Sequence, residues 1–549
     1  MAWRFAMDFL FKQSVPGTKS ADFVPGKGII EIMSTLDFKK IFSAVQNGND
    51  VRGAVIATET EKVTLTAPIV TCITRAFAEF LAEKYGKELS ALRVGVGHDS
   101  RVSAEQMKAA CCRGLDITQV YDCSLITTPA MFQSTLLPKS DFDGAVMITA
   151  SHLPFNRNGL KFFTKDGALS KAELTKILEE AATLAESYGS ESAETLFTVD
   201  ALPAGGIPAQ SFDMRAVYCG HMKEVICREV NADDYAHPLK GLHIVEDAGN
   251  GASGFFATEI LEPLGADISG SVYLDSDGTF PNHVPNPENH TAMEAARKAT
   301  LDAGADLGVI FDCDGDRGAV VFSDGTEVNR NSLIALLGVI VAEQAPGSTI
   351  VTDSVTSDEL AVFLTEELGL KHLRFKRGYK NVIDKGVELN ASGEVCELAI
   401  ETSGHGAFKE NHFSDDGAYI ATKIICRMAM LRKEGKKIES LISKLEQPAE
   451  AAEIRLNITV PDFKAYGQQV LDDFKAFCEA DPRFRIVSPN FEGVRVAFDD
   501  AEVKGWMLMR LSLHDPVTPI NLESKNPGGV EIIKERILPF IGRYEGLKG

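Results

Sequence analysis

The chain lacks a CxxC pair, lacks any apolar run of membrane-spanning length, and carries only 2 tryptophans in 549 residues. Each shortage removes a class of protein. Its 10 cysteines are scattered, with Cys111 and Cys112 adjacent, so the ligand spacing of a zinc site is missing. The pattern reads as reduced, mostly buried thiols in a reducing compartment. The longest apolar stretch, around Leu333 to Ala342, falls well short of the roughly 18 residues a membrane helix needs. Positive charge is in the minority, with 56 Lys and Arg against 78 Asp and Glu, for a net charge of -22. So acidic a chain suits neither nucleic acid nor an anionic membrane surface, although a local cluster of arginines still binds small anions. The start, "MAWRFAMDFLFKQSVPGTKS", has no clean apolar core followed by a small-residue cleavage site. Residues 1–46 therefore read as a non-secretory extension, with an atypical organelle-targeting peptide left open. A cytoplasmic protein, monomer or dimer, is expected.

What is present is the composition of a globular protein, 44% hydrophobic and 24% charged. The length suggests about three or four domains. Strand-like and helix-like segments alternate. "LRVGVGHDSR" (92–101) is a β-branched run ending in turn chemistry. "SAEQMKAACCRGL" (103–115) follows as a helix with Ser103 as candidate N-cap. "GAVMITAS" (144–151) is a buried strand, and 170–189 is rich in helix formers. The alternation restarts at 241–267 and 305–322, then cycles again through 332–433. Such repetition predicts parallel strands covered by helices. From about Glu453 the pattern becomes α+β: strand 453–460, helix 464–479, two short strands within 484–498, strand 505–513, helix 529–540. A linker is expected near Gln447 to Ala452.

Two stretches carry chemistry. "FDCDGDRGAV" (311–320) sets Asp312, Asp314 and Asp316 at alternate positions after an apolar strand. Alternate side chains of an extended turn project the same way. Three converging carboxylates repel unless a hard divalent cation sits among them. An EF-hand would need glycine at its sixth and glutamate at its twelfth loop position. Counted from Asp312, those positions hold Arg317 and Ser323, so that reading fails. A solvated acidic turn is the bland alternative. The place argues for function, because open α/β sheets put ligands at the carboxyl ends of strands. Arg317 is either a charge partner of the acids or faces a substrate anion.

The second stretch, "TASHLPFNRNGLK" (149–161), brings Ser151, His152 and Lys161 together just after a buried strand. A Ser/His hydrolase is one reading, but Ser151 is not in G-x-S-x-G, and an adjacent histidine is expected to point elsewhere. A loop serine with a capping role is the structural alternative. The third option is a serine that carries a phosphoryl group, with Lys161 close enough to move protons.

Together, "TASHLPFNRNGLK" and "DCDGDRGA" resemble the active-site serine loop and metal loop of the α-D-phosphohexomutase family, which includes phosphoglucomutase and phosphomannomutase. The similarity extends in order through "NDVRGAV" (49–55), "VGHDSR" (96–101), "VEDAGNGASG" (245–254), "FPNHVPNPE" (280–288), "KRGYKNVI" (376–383) and "ETSGHGAF" (401–408). It implies an α/β fold of four-domain phosphohexomutase architecture: three mixed α/β sandwich domains plus a C-terminal α+β domain around a central cleft. The expected divisions are 47–205, 206–320, 321–446 and 452–549, bearing in turn the serine, the metal loop, the sugar loop and the phosphate site. The resemblance implies Mg²⁺ held by Asp312, Asp314, Asp316 and the phosphate on Ser151. It implies Arg52 beside that serine, and Glu401, Ser403 and His405 as sugar-hydroxyl contacts with Gly378 and Tyr379 near the ligand.

Two departures stand out. Leu153 stands where the family usually has asparagine. "RLSLHDPVTP" (510–519) stands where the family has R-x-S-x-T-x-P, so Arg510 and Ser512 match while His514 replaces threonine and Asp515 follows it. Arg510 can still grip a phosphate through two parallel hydrogen bonds, with Ser512 and His514 as further donors.

The activity implied is an isomerase interconverting hexose 1- and 6-phosphates of glucose or mannose, with glucose 1,6-bisphosphate as activator and intermediate. Phosphoryl transfer needs positioning and charge neutralisation. Ser151 would carry the phosphoryl group, Arg52 and Arg317 would offset its charge, and Lys161, with His152 second, would be the general acid/base. A phosphoglucosamine mutase, a non-catalytic sugar-phosphate-binding homologue and a phosphatase are the competing readings.

Overall fold

The structure, a computed structural model, describes residues 37–187, 209–512 and 515–549. Most of the expected N-terminal extension, and His514, lie outside the described residues. The chain divides into two compact units. One runs to His221 and includes Asn250–Ser253 and Asp275–Asn282; the other takes Met222–Gly249, Gly254–Leu274 and His283–Gly549.

The first unit is built on an eight-stranded sheet. Its strands are β1 (Gln46–Asn47), β2 (Asp50–Ala54), β3 (Arg93–His98), β4 (Gln119–Leu125), β5 (Gly144–Ile148), β6 (Arg157–Thr164), β7 (Gly167–Ala168) and β8 (Gln210–Ser211). The spatial order is β1-β2-β6-β5-β3-β4-β8, with β7 on β6. β3 pairs parallel with β4 and β5, whereas β6 runs antiparallel to both β5 and β2. The sheet is therefore mixed, not all-parallel as the alternation alone suggests. Helices Ala67–Tyr85, Ala104–Gly114 and Lys171–Ser187 cover it. The first has Pro68 in its opening turn, pre-set for that position, and stops at Gly86, whose left-handed conformation lets its N–H and the next close on Ala82 and Glu83 carbonyls. Its buried face sets Ile73, Phe77 and Leu81 against Val94, Val96, Leu160 and Phe162. Emptying Phe77 to alanine would cost about 3–5 kcal/mol.

The second unit holds three sheets. β9 (Ile244–Asp247), β10 (Leu307–Phe311), β11 (Gly318–Phe322) and β12 (Glu327–Val328) lie in the order β12-β11-β10-β9. β9 and β10 are parallel, and β10 turns directly into antiparallel β11. β13 (Thr349–Thr352), β14 (Lys371–Arg374), β15 (Cys396–Ile400), β16 (Gly406–Phe408) and β17 (Ser414–Asp415) form a second mixed sheet, ordered β14-β13-β15-β16-β17. Helices His290–Ala303, Arg330–Gln344, Tyr379–Ala391 and Gly417–Lys433 pack on these two.

The last sheet is wholly antiparallel, ordered β19-β20-β21-β22-β18-β23: β18 (Glu450–Ile458), β19 (Arg485–Ile486), β20 (Val494–Asp499), β21 (Lys504–Met509), β22 (Val517–Ser524) and β23 (Leu547–Lys548). Helices Phe463–Glu479 and Gly529–Ile541 bury Val470, Phe474, Ile533, Ile537 and Phe540 against it. Two expectations change here. The expected linker at 447–452 overlaps β18, because Glu450, Ala451 and Ala452 already pair with Ser524, Glu523 and Leu522. β22 is absent from the sequence reading. Pro519 argues against an interior strand, yet its missing N–H is tolerated while its carbonyl still accepts from Arg510 N at 3.1 Å.

Candidate active site

Ser151 lies three residues past β5, every residue of which is buried. It takes a left-handed backbone conformation, φ 51°, and is itself buried. A non-glycine residue in that region is strained unless its surroundings fix it. They do. Thr149 Oγ1 accepts from Ser151 N at 2.8 Å and donates to Asp99 Oδ2 at 2.7 Å. Arg101, fully buried and paired with Asp99 at 3.2 Å, donates to the carbonyls of Ser151, Leu153, Pro154 and Arg157. One guanidinium thus replaces the ladder partners that a loop lacks. Phe280 covers Arg101, its ring centroid 5.6 Å from the guanidinium carbon. Leu153 takes part through its carbonyl, so a change of side chain there leaves the Arg101 bond in place.

The sheet register places the other loop residues. Arg52 on β2 stands opposite Gly159 on β6 and donates from Nη1 to Thr149 O at 2.8 Å while pairing with Asp50 at 2.8 Å. Lys161 on β6 faces Met147 on β5 and is buried. Asn158 does not reach outward; its Nδ2 donates to Ser103 Oγ at 2.9 Å. His152 departs from expectation: its Nδ1 lies 3.2 Å from Ser151 Oγ, since the left-handed turn at Ser151 brings the two neighbouring side chains together.

In the second unit Asp312, Asp314 and Asp316 occupy the turn between β10 and β11, all essentially inaccessible to solvent. One oxygen from each lies within 4.8 Å of the others. The turn closes through Gly315 N donating to Asp312 O at 3.2 Å, and Gly315 has φ 74°. Gly417 N donates to Gly315 O at 3.2 Å, and a Cβ on Gly417 would meet the Arg317 backbone at 2.5 Å. The glycine is needed for that approach. Three buried carboxylates with no soft donor fit a hard, oxygen-liking divalent cation.

Arg317 leads from the turn to the 401–408 segment, bridging to His405. Its Nε donates to His405 Nε2 at 2.9 Å, its Nη1 to Glu288 Oε2 at 3.2 Å, and its N to Asp312 Oδ1 at 3.2 Å. Burial works against its charge, but Asp312, Glu288 and the other turn carboxylates outweigh it and hold the guanidinium more firmly protonated than usual. His405 Nδ1 lies 2.6 Å from Asp415 Oδ2. With Nε2 accepting from Arg317, Nδ1 carries the proton. Asp316, His405 and Asp415 also come within metal-ligand reach of one another. Both imidazole nitrogens are already engaged, so the three-aspartate group is the better cation site. Tyr379 stacks on His405 with centroids 5.1 Å apart. Glu401 accepts from Gly378 N at 2.6 Å and from Ser403 Oγ at 3.4 Å. Burial, and next the Asp353 carboxylate, raise its acid pKa. Glu401, Ser403, His405, Gly378, Tyr379 and Arg317 are thus gathered around one cluster.

Arg510 begins the loop after β21. It is buried, burial lowers its pKa, and its Nε has no hydrogen-bond partner among the described residues. Ser512 Oγ accepts from Asp515 N at 3.2 Å, and Asp515 itself is exposed. A buried guanidinium with a spare donor suits an anion.

Several residues of these sites were not singled out from sequence. Asp99 and Arg101 stood inside a quoted motif, and charge directly after a buried strand was the available signal. Glu288 and Arg377 also stood inside quoted motifs, whereas Asp353 and Asp415 gave no signal, because tertiary contact alone brings them in.

These features define a multidomain α/β protein with a buried serine loop at one strand end and a buried acidic turn at another. Three segments match the family described as phosphoglucomutase/phosphomannomutase: α/β/α domain I over residues 44–188, domain II over 216–325 and domain III over 329–448. A phosphomannomutase/phosphoglucomutase of Pseudomonas aeruginosa is 29% identical over 511 residues, covering 91% of this chain and 96% of that protein. A phosphoglucosamine mutase of Corynebacterium jeikeium is 28% identical over 488 residues, covering 87% and 96%. A crystal structure of a phosphoglucomutase/phosphomannomutase family protein from Burkholderia thailandensis shares the fold, with a TM-score of 0.71 at 24% identity over 92% of this chain and 97% of that one. The chain belongs to the α-D-phosphohexomutase family.

Proposed function

We propose that the chain is a phosphohexomutase, an isomerase that interconverts hexose 1-phosphate and hexose 6-phosphate through a phosphoserine and a hexose 1,6-bisphosphate. The observation that carries this is Ser151: a buried hydroxyl in left-handed backbone, fixed by the Asp99–Arg101–Thr149 knot. Such strain, held by its surroundings, is characteristic of functional sites. The four sheets correspond in this reading to four domains.

In the forward half-reaction the bond from Ser151 Oγ to phosphorus breaks and a bond from the sugar hydroxyl to phosphorus forms. The hydroxyl proton passes to Lys161, and Ser151 Oγ takes a proton in exchange; His152 Nδ1 is the second candidate at that oxygen. Arg52 orients the strand carbonyl that precedes the serine. Arg317 offsets phosphoryl charge. Glu401 and Ser403 accept or donate to sugar hydroxyls, His405 joins them by exchanging its Arg317 or Asp415 partner for a hydroxyl, and Arg510 with Ser512 anchors the phosphate that is not transferred. Asp312, Asp314 and Asp316 would hold Mg²⁺, which when bound neutralises charge on the transferring group. The second half-reaction returns the other phosphoryl to Ser151 after the bisphosphate has turned end for end.

This reading makes the chain a cytoplasmic enzyme acting on small-molecule sugar phosphates. Glucose and mannose are the leading sugars. The Corynebacterium relative keeps glucosamine as second reading. A coupled assay with Mg²⁺, a trace of glucose 1,6-bisphosphate and, separately, glucose, mannose and glucosamine 1-phosphates tests it. Formation of the matching 6-phosphate is expected and ranks the sugars. Release of free phosphate instead would make it a phosphatase. No turnover by protein whose mass includes the Ser151 phosphate would make it a binding homologue.

A further inference from the structure

Glu288 touches two arginines at once. It sits just before Asn289, the N-cap of helix His290–Ala303. Its Oε2 accepts from Arg317 Nη1 at 3.2 Å, and its Oε1 lies 3.5 Å from Arg377 Nη2. The two arginines come from separate elements. Arg317 closes the acidic turn, while Arg377 precedes helix Tyr379–Ala391. Further contacts hold each arginine in place. Arg317 Nε serves His405, and Arg377 gives its N to Glu492 Oε2 at 3.2 Å and sets its Nε 3.8 Å from Asp353 Oδ2. One terminal nitrogen of each points at Glu288.

A carboxylate with one oxygen on each of two guanidiniums has the geometry of a bound anion. The Glu288 side chain is 27% exposed, so an anion from solvent can reach the position it holds. A phosphoryl group would compete well for the same donors, with three oxygens and close to two charges at neutral pH.

We propose that Glu288 is an internal placeholder anion: it fills the position between Arg317 and Arg377 in the substrate-free protein, and a phosphoryl group of the sugar phosphate binds there by displacing the carboxylate. The identity of that ligand rests on the mutase reading; the placeholder rests on the three side chains. Affinity for phosphate is then the difference between two anions competing for one pair of cations. The carboxylate also keeps the two guanidiniums from being buried beside each other uncompensated.

The test is titration calorimetry with inorganic phosphate, which requires no turnover, on the wild type, E288Q and E288D. E288Q keeps the shape and an acceptor but loses the competing charge, and is expected to bind phosphate about 3- to 10-fold more tightly. E288D restores the charge and returns the affinity toward the wild type. R377Q in the E288Q background removes the gain, because the vacated position then has a single arginine. In steady state, KM for the sugar phosphate falls in E288Q while kcat does not rise. Equal or weaker phosphate binding by E288Q, or no phosphate binding by either protein at millimolar concentration, overturns the proposal. A merely structural Glu288 would weaken binding in E288Q and E288D alike. If E288Q binds phosphate more tightly but no sugar phosphate turns over, the placeholder stands and the mutase reading falls. If the wild type turns over and E288Q changes neither Kd nor KM, the reverse holds.

Discussion

The serine loop and the acidic turn solve one problem in two ways. Both follow a fully buried strand, β5 in one case and β10 in the other. Both must hold an irregular backbone beyond the end of the regular strand pairing. The serine loop is pinned by a side chain, Arg101, which donates to four carbonyls and draws its own orientation from Asp99. The acidic turn is pinned by backbone against backbone. Gly417 N donates to Gly315 O, Gly318 N donates to Gly404 O, and Gly417 leaves no room for a Cβ. The difference follows from charge. A loop whose serine is uncharged or carries an anionic phosphoryl group tolerates a buried cation within it. A turn that gathers three carboxylates needs its cationic charge from a bound ion and from Arg317 beside it, so its scaffold is uncharged.

The comparison predicts where each loop breaks. The largest effect belongs to the groups the loops present. S151A should lower turnover by at least about 10³-fold, with the protein still folded, and should abolish incorporation of phosphate into the chain. Unaltered turnover would remove the phosphoserine from the mechanism. D314N should lower turnover by about 10²- to 10³-fold, the loss expected when charge stabilisation at a transferring group fails. Its remaining activity should respond only weakly to added Mg²⁺. Full Mg²⁺-dependent activity in D314N would show that the acidic turn is not the cation site.

Scaffold changes rank next, and they separate the two designs. R101K keeps a positive charge but gives a lysine three donors in place of a planar fork, so it cannot serve four carbonyls and Asp99 together. It should cost about 10²-fold in kcat, with a destabilisation of roughly 2–4 kcal/mol from buried groups left unpaired. G417A should cost about 10-fold, because its methyl must push the Arg317 backbone aside and a shift near 1 Å at a reacting site is expensive. The Mg²⁺ requirement is the discriminating readout. G417A should raise the Mg²⁺ concentration for half-maximal activity more than R101K does, because it disturbs three of the ligands and R101K only the serine. The same shift in both would mean that the two loops are not independently built.

What could be read from sequence divides along the same line. Ser151, Lys161 and the three aspartates were legible because they follow apolar runs in local patterns: a turn placed after a buried strand is a one-dimensional signal. The helices Ala104–Gly114 and Phe463–Glu479 were legible as helical runs, the first with Ser103 just before it, although that side chain makes no capping bond. The Arg101 fork was not, because its acceptors lie about fifty residues away along the chain. Nor was the Arg317–Glu288–Arg377 group, since no local pattern links a turn, a helix cap and a loop across 89 residues. β22 was hidden by Pro519, a residue that usually argues against an interior strand. Mixed strand direction was also hidden, since a helix between two strands suggests a parallel pair and says nothing of a hairpin such as β5–β6.

The smallest predicted effect lies away from both loops, in the antiparallel sheet, and tests a burial argument alone. Glu523 on β22 stands opposite Trp506 on β21 and accepts from its Nε1 at 2.8 Å. Burial, reinforced by the nearby Glu359 carboxylate, pushes the Glu523 acid up to about 7, against the lowering effect of the Trp506 bond and of Arg495. A carboxyl with a raised folded-state pKa binds its proton more tightly in the folded protein than in the unfolded chain. Stability should therefore fall as pH rises from the ordinary glutamate range to about 7, and then level off. E523Q cannot ionise and its amide oxygen can still accept from Trp506. It should match the wild type near pH 4.5 and exceed it by about 2 kcal/mol at pH 8, seen as a higher Tm there. A difference of the same size at both pH values would assign the gain to packing. A less stable E523Q at pH 8 would mean that the ionised carboxylate is held by Arg495 more strongly than burial opposes it.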